Sequence, residues 1–321
     1  MDYLIKRKDS CKNKVKHRIL RLFTAIFLVL LSSGIAHAQI QQKPELEVFK
    51  KPTRKKCRLK VSQTFQLSHE IPEGSGLCVW KGMLWTHNDS GEPVLFSLDT
   101  ATGKIIEKYL LPGVANNDWE DLAQDEDYFY LGATGNNTEK KDTVEILRIG
   151  KHDLIRQKPS IEKIRFTWPE TLTDGKRKKI NFNCEAITVV GDSLYLFTKE
   201  QKRERRTRIF TLSNRPGLSI AKYKSTLKTR ILITGASYDS GTKQLVLCGY
   251  NLLLRPFLLV FPETENHDFF GGNMKQIKLR IPFHQVEGVA TSDGKRYYAI
   301  NEEWHLYFFH TRQKLHVIDL E

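Results

Sequence analysis

The sequence predicts an all-β chain folded as a β-propeller of four-stranded antiparallel blades, with five units counted and room for a sixth. Three observations predict it. One order recurs along the chain: an acidic or glycine-rich corner, an aliphatic residue, a hairpin, then a polar loop. Short apolar runs of strand length are separated by Gly, Asp and Asn turn residues. No stretch of helical period after residue 38 is long enough for a stable helix. A unit repeated at roughly 45–65 residues belongs to the repeat architectures, and four-stranded units repeated in series point to a propeller.

The clearest unit starts at Asn117. Asp118-Trp119-Glu120-Asp121-Leu122 forms the corner, Tyr128-Phe129-Tyr130-Leu131 the second strand, and Gly135-Asn136-Asn137 the loop. Glu185-Ala186-Ile187 leads to Leu194-Tyr195-Leu196-Phe197 and Thr198-Lys199-Glu200, and Glu287-Gly288-Val289 leads to Tyr297-Tyr298-Ala299-Ile300 and Asn301-Glu302-Glu303. Two units keep the frame but change the corner. One runs from Glu73-Gly74-Ser75-Gly76 to His87-Asn88-Asp89-Ser90-Gly91, the other from Thr234-Gly235-Ala236 to Gly249-Tyr250-Asn251.

The outer strands follow in order. The first unit has strands at 77–80, 83–86, 94–98 and 105–110, with a turn at 100–103. The second adds 144–149 and 161–168, followed by a basic insertion at 169–179; a sixth, degenerate blade would fall around 169–183. The third adds 207–212 and 223–233, the fourth 257–261 and 274–281, and the fifth 305–310 and 315–320. Residues 61–67 (VSQTFQL) alternate with period two and have no unit of their own. Pairing them with the last unit would close the ring and remove open strand edges.

The chain opens as an export signal over residues 1–38. It has a basic stretch from Lys6 to Arg21, a short apolar stretch at 22–31, and Ala36-His37-Ala38 in the small-x-small pattern of a cleavage site. Residues 39–57 are polar, lack period and read as a linker; residues 58–321 are the propeller domain. The signal holds 8 of the 51 Lys/Arg and 2 of the 37 Asp/Glu, leaving 43 basic and 35 acidic residues, a net +8. Such a moderately basic exported protein meets anionic envelope surfaces rather than nucleic acid. Cys57, Cys78, Cys184 and Cys248 follow the signal without a CxxC pair, so a zinc knuckle or thioredoxin-like site is not indicated, and three disulfide pairings are open.

In a propeller blade the loop entering the innermost strand and the loop after the second strand lie at one end. The corners and polar loops should therefore converge on one mouth: Glu73, Glu120, Asp121, Glu185 and Glu287 with Asn88, Asp89, Asn136, Glu200, Asn251 and Glu302. Carboxylates this close repel one another and raise each other's pKa. A hard cation such as Ca²⁺ would relieve the repulsion. So would backbone N–H bonds from a neighbouring blade, stitching the ring. Asp118 and Asp121 read as turn or capping residues, Trp119 as an inter-blade wedge, His87 as a core or loop histidine, and Lys199 as a cation facing the carboxylates. The sequence has no GxSxG, HExxH, GxGxxG or GxxxxGK[ST] motif.

The segments NDSG, DWEDLA, GNN, NCEAI, ITGASYD, QVEG and INEE resemble a family of secreted, mostly uncharacterised bacterial β-propeller proteins, over residues 73–303. That family is distantly similar to SdiA-regulated, phytase-esterase-like, gluconolactonase-type and strictosidine-synthase-type propellers. The resemblance implies a divalent cation, usually Ca²⁺, in the central channel. Glu120, Glu185 and Glu287 match the acidic corners, and Asn88 and Asn136 stand where an Asn ligand is expected. Thr234-Gly235 departs from the pattern, which leaves the acidic ring incomplete. The expected function is a secreted or periplasmic binding or scaffold module at the cell envelope. It would be a monomer with no membrane span after signal cleavage, taking a small molecule or envelope component. The alternative is a metal-dependent hydrolase of a lactone, ester or phosphoester, with no catalytic residue assigned. Export predicts a mature chain starting at Gln39, read by N-terminal sequencing or intact mass of the secreted protein; a product that keeps Met1 and partitions with membranes contradicts it.

Overall fold

A computed structural model describes residues 48–170, 182–200, 206–262, 267–306 and 309–320. Five mostly antiparallel sheets form the blades of a propeller. Blade 1 is Gly74–Trp80, Met83–Asn88, Val94–Asp99 and Ile105–Leu110 in consecutive antiparallel order. Its first hairpin turns at Lys81 and Gly82, both with positive φ (51° and 72°), the geometry that matches strand twist in a two-residue loop. Blade 2 is Leu122–Gln124, Tyr128–Ala133, Thr143–Gly150 and Ile161–Thr167, and blade 3 is Cys184–Val190, Ser193–Thr198, Arg206–Ser213 and Lys222–Lys228. Blade 4 is Leu232–Asp239, Gln244–Tyr250, Pro256–Pro262 and Asn273–Leu279. Blade 5 takes Val286–Thr291, Arg296–Asn301 and Lys314–Asp319 from the end of the chain and Gln63–Gln66 from its beginning.

The clasp is therefore real. Gln63–Gln66 runs antiparallel to Lys314–Asp319, pairing Phe65 with Leu315 and Thr64 with His316. His316 is fully buried and joins the clasp to the blade, with Nδ1 3.0 Å from Thr64 Oγ1 and Nε2 2.9 Å from Asn301 Oδ1. The innermost strands neighbour one another in the order of blades 1 to 5 and back to 1, so the ring closes with five blades. Most of the insertion considered for a sixth blade, residues 171–181, lies outside the described residues.

Three expectations change. Thr53–Leu59, assigned mostly to the linker, is a strand that pairs in parallel with Asn273–Leu279 as a fifth strand of blade 4, and Phe49–Lys50 does the same for blade 3. A polar sequence conceals these strands because an outermost strand needs no apolar face. Arg54, Lys55 and Lys56 lie exposed on that rim, where charge discourages further strand addition. The strand expected over 223–233 breaks at Arg230, whose φ is +62°, so Ile231 and Leu232 belong to the next blade's corner. The strand expected over 305–310 is instead a small hairpin, Trp304–Leu306 with Phe309–Thr311, set outside blade 5. Among the described residues the four cysteines are free, and no helix is long and apolar enough to cross a membrane.

The core is a ring of five apolar clusters, one at each blade–blade interface. Trp85 and Leu95 of blade 1 meet Leu122 and Leu131 of blade 2, with Trp119 wedged among them, fully buried. The fifth cluster packs Leu84 and Phe96 of blade 1 against Ile300 and Leu315 of blade 5, and includes Leu67 just after the clasp. Truncating the chain to begin at Lys60 removes only fifth strands, whereas beginning at His69 also removes the clasp, half-buried Phe65 and buried Leu67. The second truncation should cost at least about 3 kcal/mol more than the first, the scale of losing one large buried side chain. Chemical denaturation followed by circular dichroism reads the difference, and equal stabilities would refute closure by this strand.

Candidate functional site

At one level of the ring the inner strands approach one another closely. A Cβ on Gly76 would lie 2.5 Å from the Leu122 nitrogen, and one on Gly288 2.9 Å from the Gly76 carbonyl carbon. Into this centre projects Asp121, which is fully buried. Its Oδ1 accepts the Leu122 N–H at 2.9 Å, and its Oδ2 accepts the N–H of Ile187 in blade 3 at 2.9 Å and of Ala236 in blade 4 at 3.0 Å. Burial drives its pKa well above the usual range, and the three N–H groups oppose that rise. The stitching expected of the corner glutamates is thus done by Asp121, a residue read from sequence as a turn or cap. Shorter stitches join other blades: Ser75 Oγ donates to the Glu120 carbonyl, Thr134 Oγ1 to Cys184 O at 2.7 Å, and Thr234 Oγ1 to the Val286 carbonyl.

Above this plug lies the acidic mouth. Glu120, Glu185 and Glu287 are all buried, at 7%, 3% and 8% exposure, so the corners do turn inward. Lys199 stands among them. Its Nζ donates to Glu185 Oε2 at 2.7 Å, and Asn183 Nδ2 donates to the other oxygen at 2.6 Å. Burial opposes the charge on Lys199, but Glu185, Glu287 and Tyr250 together hold its pKa well above the usual lysine value. Burial, then repulsion from Glu185, Asp118 and Glu287, raises Glu120 well above the usual range against the pull of Lys199. Glu287 is raised by burial and by Glu302 and Glu185, although Lys199 and a hydrogen bond with Tyr250 oppose the shift. Burial with Glu73, Asp118 and Glu185 pushes Asp89 up to about 6. Burial with Asp89, Glu185 and Glu73 pushes Glu302 up to about 7.

Other expected members turn elsewhere. Asn88 Oδ1 accepts the Glu73 N–H at 3.2 Å and its Nδ2 donates to Glu70 O at 2.8 Å. Asn136 Oδ1 accepts the Lys141 N–H at 3.0 Å, and Asn251 Oδ1 accepts the N–H groups of Leu253 and Arg255. Asn136 and Asn251 close their own loops, and Asn88 ties its loop to the segment that enters blade 1. Glu200 is taken up by Arg206 and Arg208. His87 is fully buried, packed edge-on to Trp119, and burial pushes it down to about 4, so it is a neutral core residue.

This donor set does not fit the expected calcium ion. The Lys199 ammonium already supplies a cation beside the corner glutamates, both oxygens of Glu185 are engaged, and the amides of Asn88 and Asn136 are spent on backbone. Among the described residues, the one group whose ligand atoms all lie within 4.8 Å of one another is Glu303, His305 and His310, and it could hold a metal ion. Sequence reading missed this trio because residues 305–310 were assigned to a blade strand. It also missed Asn183 and Tyr250, which carry no motif and are recruited by folding.

Fold and site define a five-bladed propeller stitched at its centre by a carboxylate and carrying an acidic mouth with a half-buried lysine. No family model and no curated protein matches the chain. Among solved structures, Myxococcus xanthus glutaminyl cyclase aligns at 12% identity and TM-score 0.49, over 84% of this chain and 100% of that one. A glucose dehydrogenase aligns at 10% and 0.46 over 81% and 100%, and a streptogramin B lyase at 10% and 0.39 over 81% and 87%.

The mouth makes opposite predictions for two conservative substitutions. No hydrogen bond or ion pair reaches the Glu120 carboxylate among the described residues, so Glu120→Gln removes repulsion and little else. A raised carboxyl pKa contributes stability that is present at low pH and lost as pH rises through the folded-state value. Glu120→Gln should therefore leave melting unchanged near pH 4 and raise the melting temperature at pH 8. Glu185→Gln instead deprives Lys199 of its charged partner and should cost about 1.5–3 kcal/mol at pH 8. Equal effects of the two substitutions would show that Lys199 does not discriminate between the corners.

Proposed function

We propose that this chain is an exported binding module whose acidic mouth captures the cationic group of a small molecule, an amine above all. The observation that carries the reading is the imbalance of charge. Asp89, Glu120, Glu185, Glu287 and Glu302 surround Lys199, Glu73 and Asp118 lie beside them with Asp118 paired to Lys141 at 3.4 Å, and four of these seven carboxyl groups have their pKa raised by burial and mutual repulsion. A ligand cation supplies the counter-charge these groups lack and gains from their partial desolvation. Glu185 holds the Lys199 ammonium, which attracts the carboxylates around it and offers a donor to an acceptor on the ligand. Export rests on the amino-terminal signal pattern. The alternative is a metal-dependent hydrolase in the channel; the oxygens of Glu185, Asn88 and Asn136, already engaged within the protein, favour the binding module over it.

The sign of the pH dependence follows. A cation favours ionised carboxylates, so affinity should rise as pH passes through about 6 for Asp89 and about 7 for Glu302, with protons released on binding. Calorimetry with putrescine, agmatine and arginine at pH 5.5 and 8, each in two buffers of different ionisation enthalpy, tests this. The expected outcome is tighter binding at pH 8, buffer-dependent heats and weakening by Glu302→Gln. Failure of all three amines to bind, or binding indifferent to pH and to Glu302→Gln, would sink the reading.

A further inference from the structure

We propose that Glu303, His305 and His310 form a binding site for a divalent transition-metal ion of the zinc class, on a hairpin separate from the acidic mouth. The hairpin's two short strands place His305 directly opposite His310. Directly opposed residues of an antiparallel pair project from the same face. The two imidazoles accordingly stack, with ring centroids 3.9 Å apart and planes inclined by 16°. Each turns its Nε2 to one oxygen, Glu303 Oε1, at 2.6 Å from His310 and 3.2 Å from His305. Three donor atoms from three side chains thus converge on one point.

The backbone that presents them is fixed at its base. Trp304 Nε1 and Thr311 Oγ1, one from each strand, both donate to the Phe283 carbonyl, at 2.9 and 3.0 Å. The Glu303 N–H donates to the carbonyl of Pro72, ahead of blade 1. The hairpin is thereby tied to the entry loop of blade 5 and to the approach to blade 1, and the three side chains are carried on an anchored frame.

The donor chemistry selects the ion. Two imidazole nitrogens and one carboxylate oxygen suit Zn²⁺ and its first-row neighbours, whose bonds to such ligands are about 2.0–2.2 Å. Ca²⁺ and Mg²⁺ require oxygen-rich sets that this hairpin does not offer. The His305 and His310 side chains are 64% and 39% exposed, so solvent or a ligand donor can complete the coordination. The ion would replace the protons that otherwise join the two Nε2 atoms to the Glu303 oxygen, drawing the hairpin's strands together across the His305–His310 pair.

Metal-stripped full-length protein titrated with Co²⁺ reads the site directly. One equivalent of Co²⁺ per chain should develop visible ligand-field absorption, which Zn²⁺ displaces and Ca²⁺ does not. His305→Ala and His310→Ala should each abolish the absorption, and Glu303→Gln should weaken it. Unchanged circular dichroism and metal-free melting in all three variants will show that the fold persists. Absence of Co²⁺ absorption in the wild type, or its persistence in the double variant H305A/H310A, overturns the proposal. A stoichiometry of one ion per two chains overturns it as a site within one chain. None of these readouts depends on the mouth, so the amine-binding reading stands or falls separately.

Discussion

The Asp121 carboxylate is the constraint on which the rest of this propeller depends. Its Oδ2 accepts N–H groups from the innermost strands of blades 3 and 4 while its backbone belongs to blade 2. Three blades therefore converge on one oxygen pair in the middle of the ring. A buried carboxyl is expensive to keep there, and the N–H groups that surround it would be equally expensive to leave unpaired. Each needs the other. The close approach of Gly76, Leu122 and Gly288 around the same point leaves no room for side chains of ordinary size. Around Asp121 the blades meet through backbone and one short acid, while farther along the axis the inner strands of all five blades line a cavity of about 530 Å³.

The plug decides what the mouth can be. Asp121 and the closely approaching inner-strand backbone occupy the axis beside the corners, so the corner carboxylates cannot sink past them. They crowd instead around Lys199, whose ammonium group is held by Glu185 and faces Glu287. The crowding leaves the acids under-compensated, which is why burial and repulsion raise so many of them together. A lysine at the end of the second strand of blade 3 thus does what a bound ion was expected to do. It does so incompletely, and the remaining charge imbalance is the property a cationic ligand would use.

Edge protection organises the periphery. The outer edges of blades 2, 3, 4 and 5 are covered by strands from elsewhere in the chain: Gly217–Ile220, Phe49–Lys50, Thr53–Leu59 and Gln63–Gln66 respectively. Three of these come from one amino-terminal run that passes along three successive blades. It binds the beginning of the chain to its end and covers ladder groups that would otherwise invite other strands.

The sequence by itself determined the fold class, the inner three strands of most blades and the clasp. Those depend on local physics. Period-two apolar runs make half-buried strands, Gly, Asp and Asn turn residues separate them, and the corner motif marks each blade's start. It also determined that Glu120, Glu185 and Glu287 share one environment, since equivalent corners of a ring face inward. Only the tertiary structure decided what each does there. Asp121 reaches Ala236 across 115 residues of chain, and no local pattern distinguishes a stitching aspartate from a capping one. Asn88 and Asn136 resemble ligands in sequence, yet the Asn88 oxygen accepts from the entry segment of blade 1 and the Asn136 oxygen closes its own loop. Thr53–Leu59 looks like linker because its partner, 220 residues away, supplies the ladder that its own composition does not advertise. His305 and His310 become a facing pair only because the chain folds back between them outside the blade. Such facts depend on which distant backbone arrives at a residue, and a sequence read locally carries no term for that.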